Sequence, residues 1–164
     1  MLGRAFHALI VGAPLAILAP SDGAAAPPPN ADPGRIVYEK VNCVGCHKWH
    51  GGGGGGYGGA ALSLRETALD RAQLVEIVRC GRPGTGMPYF DREAYRRAEC
   101  YGGMTLDGLA PGDVPRTPVA FLRPEEIDAV VAYVQTAIQG KGEVTKEDCL
   151  AYWGPGAREC AAMP

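Results

Sequence analysis

Cys43-Val44-Gly45-Cys46-His47 is the stretch on which the reading of this chain turns. Two cysteines separated by two residues, with a histidine directly after, is the spacing of covalent haem attachment. Two thiols add to the two vinyl groups of one porphyrin, and the two-residue gap lets both sulfurs reach the ring edge. The adjacent histidine then binds the iron as its proximal ligand. Two other readings compete. A zinc site would need two further ligands, and the chain has no second Cys-x-x-Cys pair. A thioredoxin-like dithiol would need a βαβ pattern around it, and none is visible. The motif therefore predicts one covalently attached haem c, with Cys43 and Cys46 as thioether sulfurs and His47 on the iron.

Working outward, the first residues read as an export signal. Arg4 precedes a mostly apolar run from Ala5 to Ala19, and Gly23 to Ala26 are small. Cleavage after Ala25 predicts a signal peptide over 1–25. The apolar run is short for a membrane span and contains Pro14, so no stable membrane anchor is expected after cleavage. Export points to a periplasmic protein. A proline-rich leader over 26–31 precedes the main domain, expected over 32–140, and an extension over 141–164. The formal charge of −2 gives no basic footprint for nucleic acid. Of three histidines, His7 falls in the signal, leaving His47 and His50.

The sequence predicts helices and no strands. Asp32-Pro33 opens the first helix as N-cap and first residue, with Gly34 and Tyr38 on one face. Asp70 and Gln73 form a capping box for a helix from about Arg71 to Cys80, stopped by Gly81. Asp91 to Cys100 reads as a short polar helix. Pro124, Glu125 and Glu126 start a long one reaching about Gln139, with Ile127, Val130, Val131 and Val134 at helical spacing. Thr145 and Asp148 cap a short helix through Trp153. After the haem motif, Gly51 to Gly59 has almost no side chains to pack and reads as a flexible loop near the haem edge. Trp49 and Tyr57 are candidates to hydrogen-bond a haem propionate or to pack on the core. His50, three residues from His47, is expected in the loop rather than on the iron.

Gly81-Arg82-Pro83-Gly84-Thr85-Gly86-Met87-Pro88 is loop chemistry around one methionine. Pro88 disfavours helix at Met87 and holds it extended. A thioether displayed in this way suits the sixth position of a low-spin haem iron. Met87 comes 40 residues after His47, ample chain to wrap the haem. Met104 is the rival ligand. It lacks the proline partner and precedes a possible helical turn at Thr105.

These parts together resemble class I c-type cytochromes, the small soluble monohaem kind, over about Asp32 to Gly140. The resemblance rests on Gly34 to Tyr38, Cys43 to His47, Gly86-Met87-Pro88 and Ile127 to Val134. It implies an all-α cytochrome c-like fold with His47 and Met87 on opposite haem faces. It also implies a crossing of first and last helices where Gly34 and Tyr38 meet Tyr133 beside Val130. Three features depart from the family. Ala60-Ala61-Leu62 stands where many relatives carry a proline whose carbonyl supports the ligand histidine. The stretch from Asp91 to about Val119 is a long insertion, and the tail with Cys149 and Cys160 is extra. Both additions are candidate partner surfaces, somewhat like those of cytochromes serving quinoprotein dehydrogenases. The four remaining cysteines allow three connectivities. Nearest-neighbour pairing joins Cys80 to Cys100 and Cys149 to Cys160; the alternative is one bridge and two buried thiols.

The function implied is one-electron transfer in the periplasm, with no enzyme activity of its own. Electrons would pass between a dehydrogenase, such as a quinoprotein, or a membrane complex and a terminal acceptor. No catalytic triad or nucleotide loop is apparent. The alternative is a five-coordinate haem protein that binds or reacts with a small ligand, which requires both Met87 and Met104 to be off the iron.

Overall fold

Helix α1 (Pro33–Lys40) begins where the carboxylate of Asp32 accepts hydrogen bonds from the Gly34 and Arg35 amides, at 2.7 and 3.3 Å. Proline at the first helical position costs no bond there. The computed structural model describes residues 32–55 and 61–163, so the expected signal peptide, the leader and Tyr57 lie outside the described residues. After α1 come α2 (Cys43–His47), α3 (Arg71–Cys80), α4 (Pro124–Tyr133) and α5 (Lys146–Trp153). Single 3-10 turns occupy Leu106–Gly108 and Arg158–Cys160. The described residues contain no strand, only an isolated bridge between Cys100 and Met104.

The main core forms where α1 and α3 pack on α4. The expected crossing of α1 with α4 is present. Gly34 is buried, and a β-carbon added there would fall 2.5 Å from Cβ of Tyr133 and collide with the Ala129 carbonyl. Only glycine admits that approach. The rings of Tyr38 and Tyr133 meet with centroids 5.6 Å apart. At the edge of the crossing Lys40 reaches Glu126 at 2.7 Å. Lys40 first, with the Arg123 amide, holds the Glu126 carboxyl at about 2.

The capping box before α3 is formed as read: the Asp70 carboxylate accepts from the Gln73 amide, and the Gln73 side chain accepts from the Asp70 amide. The capping box before α5 is likewise made by Thr145 and Asp148. The long helix spans the expected residues, but its last turn, Val134–Ile138, widens to π geometry, with the Gln139 amide donating to Val134. Here the Thr136 hydroxyl donates to the Ala132 carbonyl, and the Gln139 side chain reaches the carbonyls of Thr67 and Leu69.

The stretch Asp91 to Cys100 is not the helix expected from its polarity. It is a chain of turns whose amide bonds alternate in span: Arg97 to Glu93, Ala98 to Tyr95, Glu99 to Ala94. Ala98 and Tyr101 take left-handed backbone, at φ 51° and 48°. Tertiary ties override local preference. Cys100 is bonded to Cys80 with α-carbons 5.7 Å apart, and one guanidinium, that of Arg79, holds both Asp91 and Glu99. A helix would separate those two along its axis by about 12 Å. The turns enclose a second small core of Cys80, Ala94, Tyr95 and Cys100. The other disulfide, Cys149–Cys160, ties α5 to the final turn.

Candidate haem-binding site

One helical turn, α2, carries the whole attachment motif. Cys43 and Cys46 are three apart and His47 follows, so all three share one side of the turn. Asn42, just before it, takes left-handed backbone at φ 62° and lets the chain leave α1 and start afresh. The four other cysteines are consumed by the two disulfides, and the thiols at 43 and 46 stay outside them. Cys43 packs against the main core, and burial pushes its thiol up to about 12. In the haem-loaded protein that sulfur would be a thioether and would not titrate.

His47 is fixed by its other nitrogen. Nδ1 lies 3.1 Å from the Leu62 carbonyl. A carbonyl only accepts, so Nδ1 carries the proton and Nε2 keeps its lone pair. Burial disfavours the charged ring, the Leu62 carbonyl opposes this, and the balance holds the pKa below the ordinary value. A neutral imidazole with one nitrogen hydrogen-bonded and the other available is the form that ligates a metal. Leu62 thus supplies the carbonyl behind the His47 ring.

The start of the glycine run brings Leu62 into place. Gly53 donates to the His47 carbonyl at 3.2 Å, Gly54 to Ala61 at 2.9 Å, and Leu64 to Gly51 at 2.7 Å. Gly53 has φ 67°, and a β-carbon on it would sit 2.8 Å from the Leu62 carbonyl group. Residues 51–55 are therefore laced to 61–64 rather than lying slack. Tyr38 adds a bond from its hydroxyl to the Lys48 carbonyl at 3.0 Å.

Trp49 packs against the rings of His50 and Tyr152. His50 is the loop residue expected, its Nδ1 accepting from the Gly52 amide. Met87 is half-buried in the loop after α3, where its amide donates to the Thr85 hydroxyl and its carbonyl accepts from Arg82. Met104 is 40% exposed, its amide bonded to Cys100.

Arg65 was not singled out by sequence reasoning. It is buried, and its guanidinium donates to the carbonyls of His50, Lys141, Gly142 and Glu143 and to the Asp148 carboxylate at 3.0 Å. Four of these partners are more than 70 residues away. It joins the loop behind His47 to the C-terminal extension.

Two thiols on one helical turn beside a core, with an imidazole already oriented through Nδ1, form a donor set that fits a haem. The class of protein such a set defines, in an all-helical frame, is a c-type cytochrome. Consistently, the family model for cytochrome c oxidase, cbb3-type, subunit III matches residues 29–101, which supports a c-type cytochrome domain over that stretch. Such a domain implies haem binding and electron transfer. The match covers less than half of the chain, leaving α4, α5 and the tail beyond it. No curated protein and no solved structure matches the chain.

Proposed function

We propose that the protein is an exported, periplasmic one-electron carrier holding one haem c through Cys43 and Cys46, with His47 and Met87 as axial ligands. The observation that carries this reading is the His47 side chain, held at Nδ1 by Leu62 within the attachment motif. A bound haem would supply a one-electron couple between ferric and ferrous iron. The chain's own residues do the rest. Cys43 and Cys46 tether the group, Leu62 fixes the ring plane of His47, and the main core beside Cys43 excludes water.

Met87 is preferred to Met104 as the sixth ligand because of its setting. It is half-buried in a proline-flanked loop, whereas Met104 is exposed and held to the Cys80–Cys100 bridge. A six-coordinate iron would leave no position for substrate, which makes the protein a carrier rather than an enzyme. No helix among the described residues is long and apolar enough to cross a membrane. Electrons would pass by docking between a periplasmic dehydrogenase, such as a quinoprotein, or a membrane complex and a terminal acceptor.

A potentiometric titration of the haem-loaded protein, together with its denatured intact mass, tests the proposal. One haem retained in the denatured chain and a single one-electron wave are expected. A haem lost on denaturation, or binding of carbon monoxide to the ferrous protein as fast as at an open site, would contradict it.

A further inference from the structure

The insertion bonds to the Met87 loop from both sides. The last carbonyls of an α-helix have no partner within it. At the end of α3 those of Val78 and Arg79 accept from the amides of Phe90 and Asp91, at 3.1 Å each. The next two carbonyls are taken by phenols of the insertion. The Tyr95 hydroxyl donates to Cys80 at 2.7 Å, and the Tyr101 hydroxyl donates to Gly81. Gly81 is the root of the loop. Its backbone, at φ 65°, lies so close to Met87 and Pro88 that an added β-carbon would sit 2.7 to 2.8 Å from their backbone atoms. On the other side the Gly84 amide donates to Asp113 at 3.0 Å, and the Tyr89 amide to Arg116 at 3.3 Å. The Tyr89 ring stands edge-on to Tyr95, with centroids 5.5 Å apart.

We propose that Asp91 to Val119 is a clamp that holds the Met87 loop closed, with Tyr95 and Tyr101 as its positioning residues. This rests on the reading of Met87 as the sixth ligand. The clamp sets how readily another base displaces the methionine. A competing ligand binds only when the loop opens, so its apparent affinity scales with the open population. A bond made only in the closed state favours closure by its net strength, roughly a fivefold change in the equilibrium for each. Both phenols donate to carbonyls that would otherwise lie unpaired beside the second core, so replacing them by phenylalanine weakens closure without removing a ring.

Titration of the ferric, haem-loaded full chain with imidazole, followed at the far-red band of methionine-ligated haem, tests the clamp. Tyr101→Phe should bind imidazole roughly fivefold more tightly than wild type, and Tyr95→Phe with Tyr101→Phe about 25-fold. Glu126→Gln, which loses the Lys40 pair at the α1–α4 crossing, should leave imidazole affinity unchanged while lowering global stability. A double variant that keeps wild-type affinity overturns the clamp, and so does an equal gain in Glu126→Gln. Should the double variant not fold, Tyr101→Phe alone decides, because its ring is only partly buried. A wild type without the far-red band overturns the Met87 assignment itself, and the clamp with it.

Discussion

Two side chains govern the site at the scale of residues, and only one was legible. His47 is announced by its place after Cys46, because attachment chemistry demands that order. The need for a carbonyl behind it was also legible from the missing proline, and Leu62 meets it. Arg65 left no pattern to read. Most of its partners are backbone carbonyls, which carry no residue identity, and they belong to a tail remote in sequence. The arginine fork is suited to that task, since its donors spread in a plane toward several acceptors. Replacing it strands those carbonyls and leaves Asp148 without its cation. Arg65→Met should cost about 3–5 kcal/mol in urea unfolding at pH 7. Burial alone would raise the Asp148 carboxyl, but the Thr145 amide and Arg65 outweigh it and hold its pKa below the ordinary carboxylate value. A lowered native pKa adds stability above the ordinary value, and that stability disappears as pH falls through the native one. Wild type should therefore lose stability below about pH 4 more steeply than Arg65→Met. A variant within about 1 kcal/mol of wild type would show that the guanidinium does not anchor the tail.

For the helices, local chemistry was a sound guide wherever caps carried the signal. Asp32, Asp70 and Thr145 each cap the helix that their spacing announced. The signal failed between Asp91 and Cys100, where polar composition suggested a helix and the disulfide, Arg79 and Tyr95 drew the chain into turns instead. No local pattern encodes those ties, since each pairs the stretch with the end of α3. The widened last turn of the α4 helix was equally hidden, because its apolar spacing reads the same in either geometry. The α1–α4 crossing offers a clean test at this scale. Alanine at Gly34 would favour the isolated helix by about 1 kcal/mol, yet its methyl meets Tyr133 and the Ala129 backbone. Gly34→Ala should therefore lower stability by roughly 1–3 kcal/mol, seen as a fall in Tm. A rise in Tm would mean that the helices have room to spare.

The whole molecule sets two further stretches, Asp91 to Val119 and the tail, against the core made by α1, α3 and α4. The insertion carries its own small core against the end of α3, and the tail is held through Arg65 and Trp49, with the Cys149–Cys160 bridge closing it on itself. That both stretches exceed the class I pattern was legible in the sequence. Their attachment was not, because it depends on contacts across the fold. Nearest-neighbour pairing of the cysteines did match the two bridges formed. Electron transfer by this protein requires a haem bound between His47 and the Met87 loop, and the absorption spectrum of the ferric protein beside that of Met87→Ala addresses this most directly. Wild type should show the weak far-red band of methionine sulfur on ferric haem, and the variant should lose it. A wild type that lacks the band and takes up added ligands readily, or a variant that keeps the band, would contradict this.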